Sequence, residues 1–95
     1  MNQQTNTYQR QVNIANKLGL HARAATKLAT LATTFDADVT LSNGEKTASA
    51  ASVLGLLMLE SGIGKTITLT ASGPDALAAI NAISGLIEAK FDENS

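Results

Sequence analysis

Ninety-five residues, 44% of them apolar, supply the core of one compact domain spanning 1–95, with an ordered part over about 8–91, and too little for two. A formal net charge of −1 lacks the basic footprint that binding a phosphate backbone requires, which argues against nucleic acid as a partner. With no cysteine and a single histidine, thiolate catalysis, disulfides and a transition-metal centre drop out together, and no metal or other cofactor is expected.

In chain order, Tyr8, Val12 and Ile14 alternate with Gln9, Gln11 and Asn13, the period of two expected of a half-buried strand. Arg10 interrupts its apolar face near the solvent end. After Asn16-Lys17-Leu18-Gly19 the spacing turns helical. Ala25, Leu28, Ala29, Ala32 and Phe35 then form one stripe, with Leu31 at its margin, so a strand-to-helix junction falls close to His21. A short strand is predicted over Asp38 to Ser42, an Asn43-Gly44 hairpin turn after it, and a weaker returning strand over Glu45 to Ala50.

Ser52 is placed to cap a short helix containing Val53 to Glu60, although so short an apolar run also fits a buried strand. Thr66 to Ala71 is the clearest strand, because its residues are β-branched in alternation. A last helix is predicted from Gly73-Pro74-Asp75, with proline in the first turn and the carboxylate facing the positive end of the helix. Its expected stripe is Leu77, Ile80, Ile83 and Ile87, extending to Phe91. The order β-α-β-β-α-β-α, with one apolar face per element, predicts an α+β fold. The expected form is a two-layer open-faced β-sandwich, a four-stranded antiparallel-type sheet with three helices on one face.

No segment approaches the roughly 20 apolar residues of a membrane span. Met1 to Arg10 is polar and lacks the apolar core of a signal peptide, so a cytoplasmic location and no membrane partner are expected.

The chemistry concentrates in Gly19-Leu20-His21-Ala22-Arg23-Ala24-Ala25-Thr26. A neutral imidazole has one ring nitrogen free to attack phosphorus and needs no metal to do so. At a helix start, the unpaired N–H groups of Ala22, Arg23 and Ala24 are placed to meet the incoming anion, and the Arg23 guanidinium adds permanently charged donors. Residue types and spacing alone leave a plainer possibility open, an exposed histidine and a solvated arginine at a helix start.

That octapeptide resembles the active-site signature of the histidine-containing phosphocarrier proteins, HPr and its relatives, of the phosphoenolpyruvate-dependent phosphotransferase systems. The likeness runs from about Gln9 to Phe91 and includes Ala48-Ser49-Ala50-Ala51-Ser52-Val53-Leu54-Gly55-Leu56. The resemblance implies that His21 accepts a phosphoryl group on Nδ1 from phospho-enzyme I and passes it to a histidine of an enzyme IIA protein, with Arg23 steadying the phosphate. It implies a stoichiometric carrier rather than an enzyme, expected to be a monomer. Many members carry proline where this chain has Ala24. Alanine keeps the helix there, adds a donor and leaves the loop less rigid. Asn16-Lys17-Leu18-Gly19, Leu57-Met58-Leu59-Glu60-Ser61 and Lys90-Phe91-Asp92-Glu93 are more similar to the nitrogen-related branch, which regulates rather than imports sugar. A sugar-transport member of the family and a regulatory binding module in which His21 never reacts are the alternatives.

Ser52 matches a position phosphorylated in some members, while a helix cap alone also explains a serine there. Val53, Leu54, Leu57 and Met58 are the candidates for partner docking, since this helix holds more apolar residues than one face can bury. Gly62-Ile63-Gly64-Lys65-Thr66 is not a phosphate-binding loop, because Leu59 stands where its first glycine belongs and a strand follows where a helix is needed. A serine hydrolase using His21 as base lacks the Gly-x-Ser-x-Gly elbow.

Overall fold

The structure, a computed structural model, describes residues 7–93. Four strands, β1 (Thr7–Asn13), β2 (Asp38–Ser42), β3 (Thr47–Ser49) and β4 (Thr66–Ser72), alternate with three helices, α1 (Ala22–Ala32), α2 (Val53–Met58) and α3 (Ala76–Glu88). The sheet order is β1-β4-β2-β3, with every neighbouring pair antiparallel. This is the open-faced α+β sandwich expected from the pattern of apolar faces.

Register decides which face is wet. Val12 pairs with Ile67, and Leu69 lies between Arg10 and Leu41, so Val12, Leu41, Ile67 and Leu69 share the face that the helices cover and are buried. The opposite face carries Gln9, Gln11, Asn13, Thr66, Thr68 and Thr70, and side chains there bond across strands, as Thr66 does to Asn13 at 2.9 Å. Arg10 belongs to the covered face by register. Its guanidinium donates to Ser84 Oγ on α3 at 2.8 Å and stays partly exposed, which accounts for a charge in an otherwise apolar row.

Three local expectations shift. The β2–β3 connection turns at Gly44-Glu45, one residue later than Asn43-Gly44, since Ser42 pairs with Thr47. Asn43 Oδ1 accepts the N–H groups of Glu45 and Lys46 at 2.9 Å each, and Gly44 takes the positive φ of 97° at the tip. Pro74 lies just outside α3 rather than in its first turn. Asp75 is the N-cap residue, yet its carboxylate accepts from Asp36 N–H at 2.7 Å instead of capping its own helix. Leu77 is half exposed, while Ala76, Ala79, Ile80, Ile83, Ser84 and Ile87 form the buried stripe.

Beyond α3 the chain turns sharply. Lys90, Phe91 and Asp92 have φ of 60°, 55° and 63°, a left-handed conformation costing an L-residue about 1–2 kcal/mol each. Phe91 is fully buried within this turn, and full burial of a side chain of that size contributes about 1.5–3 kcal/mol. The Lys27 ammonium on α1 also donates to its carbonyl at 2.7 Å. The turn carries Glu93 back across the N-terminal end of α1.

Candidate functional site

Gly19 sets the approach to the site. Its φ is 66°, and a Cβ there would stand 2.4 Å from Ser61 O and 2.7 Å from Gly62 Cα, so only glycine lets the loop before α1 lie against the Ser61-Gly62 backbone. Leu20 N–H donates to Ser61 O at 3.0 Å, tying the two loops together. Gly19→Ala is expected to destabilise the fold by about 3 kcal/mol, from the strained φ and the forced separation of the loops. Denaturant unfolding of the variant checks this, and an unchanged midpoint would show that the loops do not pack as described.

His21 is the N-cap of α1, with extended backbone and its carbonyl accepting from Ala25 N–H at 2.8 Å. Its Nδ1 accepts from Arg23 N–H at 3.3 Å, so the imidazole does for the helix what serine or aspartate usually does. The opposite nitrogen, Nε2, meets Glu93 Oε2 at 2.5 Å. An ionised carboxylate only accepts, so the ring proton is on Nε2 and the lone pair on Nδ1. The two contacts require the same tautomer.

The second carboxylate oxygen, Glu93 Oε1, accepts from Asn16 Nδ2 at 3.0 Å, and the same amide donates to Gly19 O at 2.8 Å. Asn16 is fully buried. Its amide therefore links the loop before α1 to the returning C-terminal turn. The Glu93 carboxyl is held below the ordinary glutamate value chiefly by the Asn16 hydrogen bond, then by the bond to His21 and the charge of Lys27, with burial opposing. A carboxyl depressed on folding stabilises the folded state above its unfolded titration, and that stabilisation is lost as the pH falls through its folded value. Above that value Glu93 is a carboxylate and accepts the Nε2 proton of His21.

Leu18, His21, Arg23 and Glu93 line an open depression of about 470 Å³. The His21 side chain is 26% exposed, so it is reachable yet held. Arg23 is exposed, and among the described residues its guanidinium forms no ion pair, which leaves its donors available to an anion. Ala22 and Ala24 lie in the same opening turn, whose first N–H groups have no carbonyl of the helix to bond. Ala24 is fully buried, its methyl directed into the core. A larger groove, lined by Thr30, Leu31 and Leu86 among others, lies away from His21 along α1 and carries none of this chemistry.

The other candidates separate. Ser52 caps α2, its Oγ accepting from Gly55 N–H at 3.0 Å. Leu54 and Met58 are 69% and 60% exposed, Leu57 is exposed at its margin, and Val53 packs half-buried against the core. Gly64 and Lys65 lead directly into β4, as a turn. Asn16 and Glu93 were not among the site residues expected from the sequence. The amide and the carboxylate lie in segments read only for their likeness to the nitrogen-related branch, and the carboxylate is 72 residues from His21. A further signal was Phe91, an aromatic residue in an otherwise polar ending, which marks a tail that docks.

A family model described as the PTS HPr component phosphorylation site matches residues 8–89. The chain is 70% identical over 87 residues to the phosphocarrier protein NPr of Shewanella violacea, covering 92% of this chain and 96% of that one. It is 47% identical to the NPr of Escherichia coli K12, with 93% and 99% covered. Among solved structures, HPr-C-His from Thermoanaerobacter tengcongensis superimposes with a TM-score of 0.88 at 34% identity over 93% of this chain and 99% of that one. HPr from Bacillus anthracis gives 0.82 at 34% identity, covering 85% and 96%. The chain belongs to the HPr family of phosphocarrier proteins, and NPr is the name of the relative that is 70% identical to it over 87 residues.

Proposed function

We propose that this chain carries a phosphoryl group on Nδ1 of His21, receiving it from phospho-enzyme I and passing it to a histidine of an enzyme IIA protein in a nitrogen-related phosphotransferase system. The observation that carries this reading is the state of His21: a partly exposed imidazole at the start of α1 with its proton on Nε2 and its lone pair on Nδ1. In the transfer the Nδ1 lone pair forms the new N–P bond. The P–N bond to the donor's histidine breaks, its electron pair returning to the donor ring. The return step is the same exchange toward the acceptor. No bound cofactor enters it.

As the group arrives, the Arg23 N–H that now bonds Nδ1 becomes available to a phosphoryl oxygen, and the Arg23 guanidinium, with the Ala22 N–H beside it, faces the same charge, while Ala24, expected to contribute its N–H, is fully buried. Transfer of this kind depends on positioning and charge stabilisation, which these groups supply. Leu54, Leu57 and Met58, with Val53 at their edge, form the apolar surface proposed to dock both partners in turn, as suits complexes that must separate after each transfer. Ser52 serves here as a cap. Its phosphorylation would place negative charge at a helix start, where it is tolerated.

The proposal is tested by incubation with enzyme I and labelled phosphoenolpyruvate. An acid-labile, base-stable adduct that maps to the peptide containing His21 is expected, and label on any other residue would refute it. Comparing enzyme I from the nitrogen and sugar branches then reads the branch directly, the faster uptake being expected from the nitrogen enzyme. Arg23→Ala is expected to slow uptake about 10- to 100-fold, the worth of a charged hydrogen bond, with an unchanged unfolding midpoint because the side chain is exposed. Equal rates would place the guanidinium outside the reaction.

A further inference from the structure

We propose that Glu93 is a positioning residue for phosphoryl transfer, its carboxylate pinning the His21 proton on Nε2 so that Nδ1 stays an unprotonated nucleophile at the open end of α1. This rests on the carrier reading above and adds to it a residue from the opposite end of the chain.

Three observations converge on the role. The carboxylate is held at both oxygens, by His21 Nε2 and by the buried amide of Asn16, so it has little freedom to leave the ring. The backbone that delivers it is itself fixed, through fully buried Phe91 and the bond from Lys27 to the Phe91 carbonyl. The nitrogen that Glu93 contacts is the one away from the helix, so the carboxylate leaves the anion-facing side of the ring open. A carboxylate occupying the phosphoryl position itself would block transfer, and this one does not.

The consequence for the reaction follows from charge. When Nδ1 forms its bond to phosphorus while Nε2 keeps its proton, positive charge spreads over the ring. Glu93 faces that charge where it develops, and the Nε2 proton stays between the two groups throughout. The arrangement has the logic of a carboxylate orienting a catalytic histidine, with the histidine acting as nucleophile rather than as base.

Glutamine at this position provides a sharp test. The carboxylate satisfies two donors with two oxygens, whereas a glutamine amide has one oxygen for both Asn16 N–H and His21 N–H. Whichever it serves, its NH2 group is turned toward a donor. Because His21 is the only histidine, its ring nitrogens are read without ambiguity by 15N NMR of the full-length protein. The wild type is expected to show a protonated Nε2 and an unprotonated Nδ1. In Glu93→Gln and Glu93→Ala the two tautomers are expected to mix, and uptake from enzyme I to slow by about tenfold or more, the usual scale for losing a group that orients a reactive one. Glu93→Gln keeps the size of the side chain, so a circular dichroism spectrum matching wild type identifies a folded variant, and Glu93→Ala repeats the measurement without the amide. Unchanged ring spectra in both variants overturn the proposal, whether or not the rate falls, since a slower rate without a tautomer change marks a structural or docking effect. A wild type with the expected ring spectrum that takes up no label removes the carrier reading itself, and is distinguished from failure of the positioning role by its occurring before any substitution is made.

Discussion

Replacing His21 by alanine is expected to reduce phosphoryl uptake to background. The chain has no second histidine and no cysteine, so no other side chain offers a neutral nitrogen or a thiolate to phosphorus at neutral pH. The same substitution removes a helix cap and leaves the Glu93 carboxylate without its ring partner, at an expected cost of about 1 kcal/mol from the cap alone. A second variant keeps these effects apart from the chemistry. In His21→Asn, the side-chain oxygen is expected to accept from Arg23 N–H much as Nδ1 does, so the helix start is preserved while the nucleophile is gone. Both variants should fold and neither should carry label after incubation with enzyme I and labelled phosphoenolpyruvate. Label retained in the folded asparagine variant would end the case for His21 as the acceptor.

Phe91→Ala is expected to lower stability by about 3–5 kcal/mol, the range for deleting a buried phenylalanine. For a domain whose whole stability is about 5–15 kcal/mol, that is a large fraction. Phe91 is fully buried, whereas the other aromatics, Tyr8 and Phe35, are exposed or only half-buried, so no neighbouring ring fills its place. The strain of three successive left-handed residues then has less to offset it, and the turn is expected to open. Opening carries Glu93 away from His21, so a shift of the histidine ring 15N signals should accompany the stability loss. Denaturant titration measures the first effect and NMR the second. A loss under about 1 kcal/mol, far outside that range, would mean the C-terminal turn is not docked on α1 and α3.

Much of the fold was legible because its elements each present one apolar face. The alternation in Thr66 to Ala71 and the stripe from Ala25 to Ala32 survive as β4 and α1, since burial of those faces against one another is the dominant driving force. Errors fell where a side chain had two possible partners. The Asp75 carboxylate is expected to face the positive end of α3; Asp75 is the N-cap residue by its backbone, but its carboxylate accepts from Asp36 N–H and makes no bond to the helix. Leu77 fits helical spacing as well as Ile80 does, yet only the placement of the sheet decides which side of α3 is covered. The hairpin tip moved by one residue because the Asn43 side chain took up the backbone donors that a tighter turn would have left open.

The candidate site divides in the same way. His21, Arg23 and the helix start lie within a few residues of each other, so local sequence determined that an imidazole and a guanidinium would stand at the positive end of a helix. Nearest-neighbour chemistry suffices for that much. The local Arg23 N–H already calls for a lone pair on Nδ1, but the carboxylate that holds the proton on Nε2 comes only with tertiary structure, from 72 residues away, on a backbone turn held by the burial of one phenylalanine and the amide of one asparagine. A tautomer depends on a partner at hydrogen-bond distance, and distance between remote residues is set by packing.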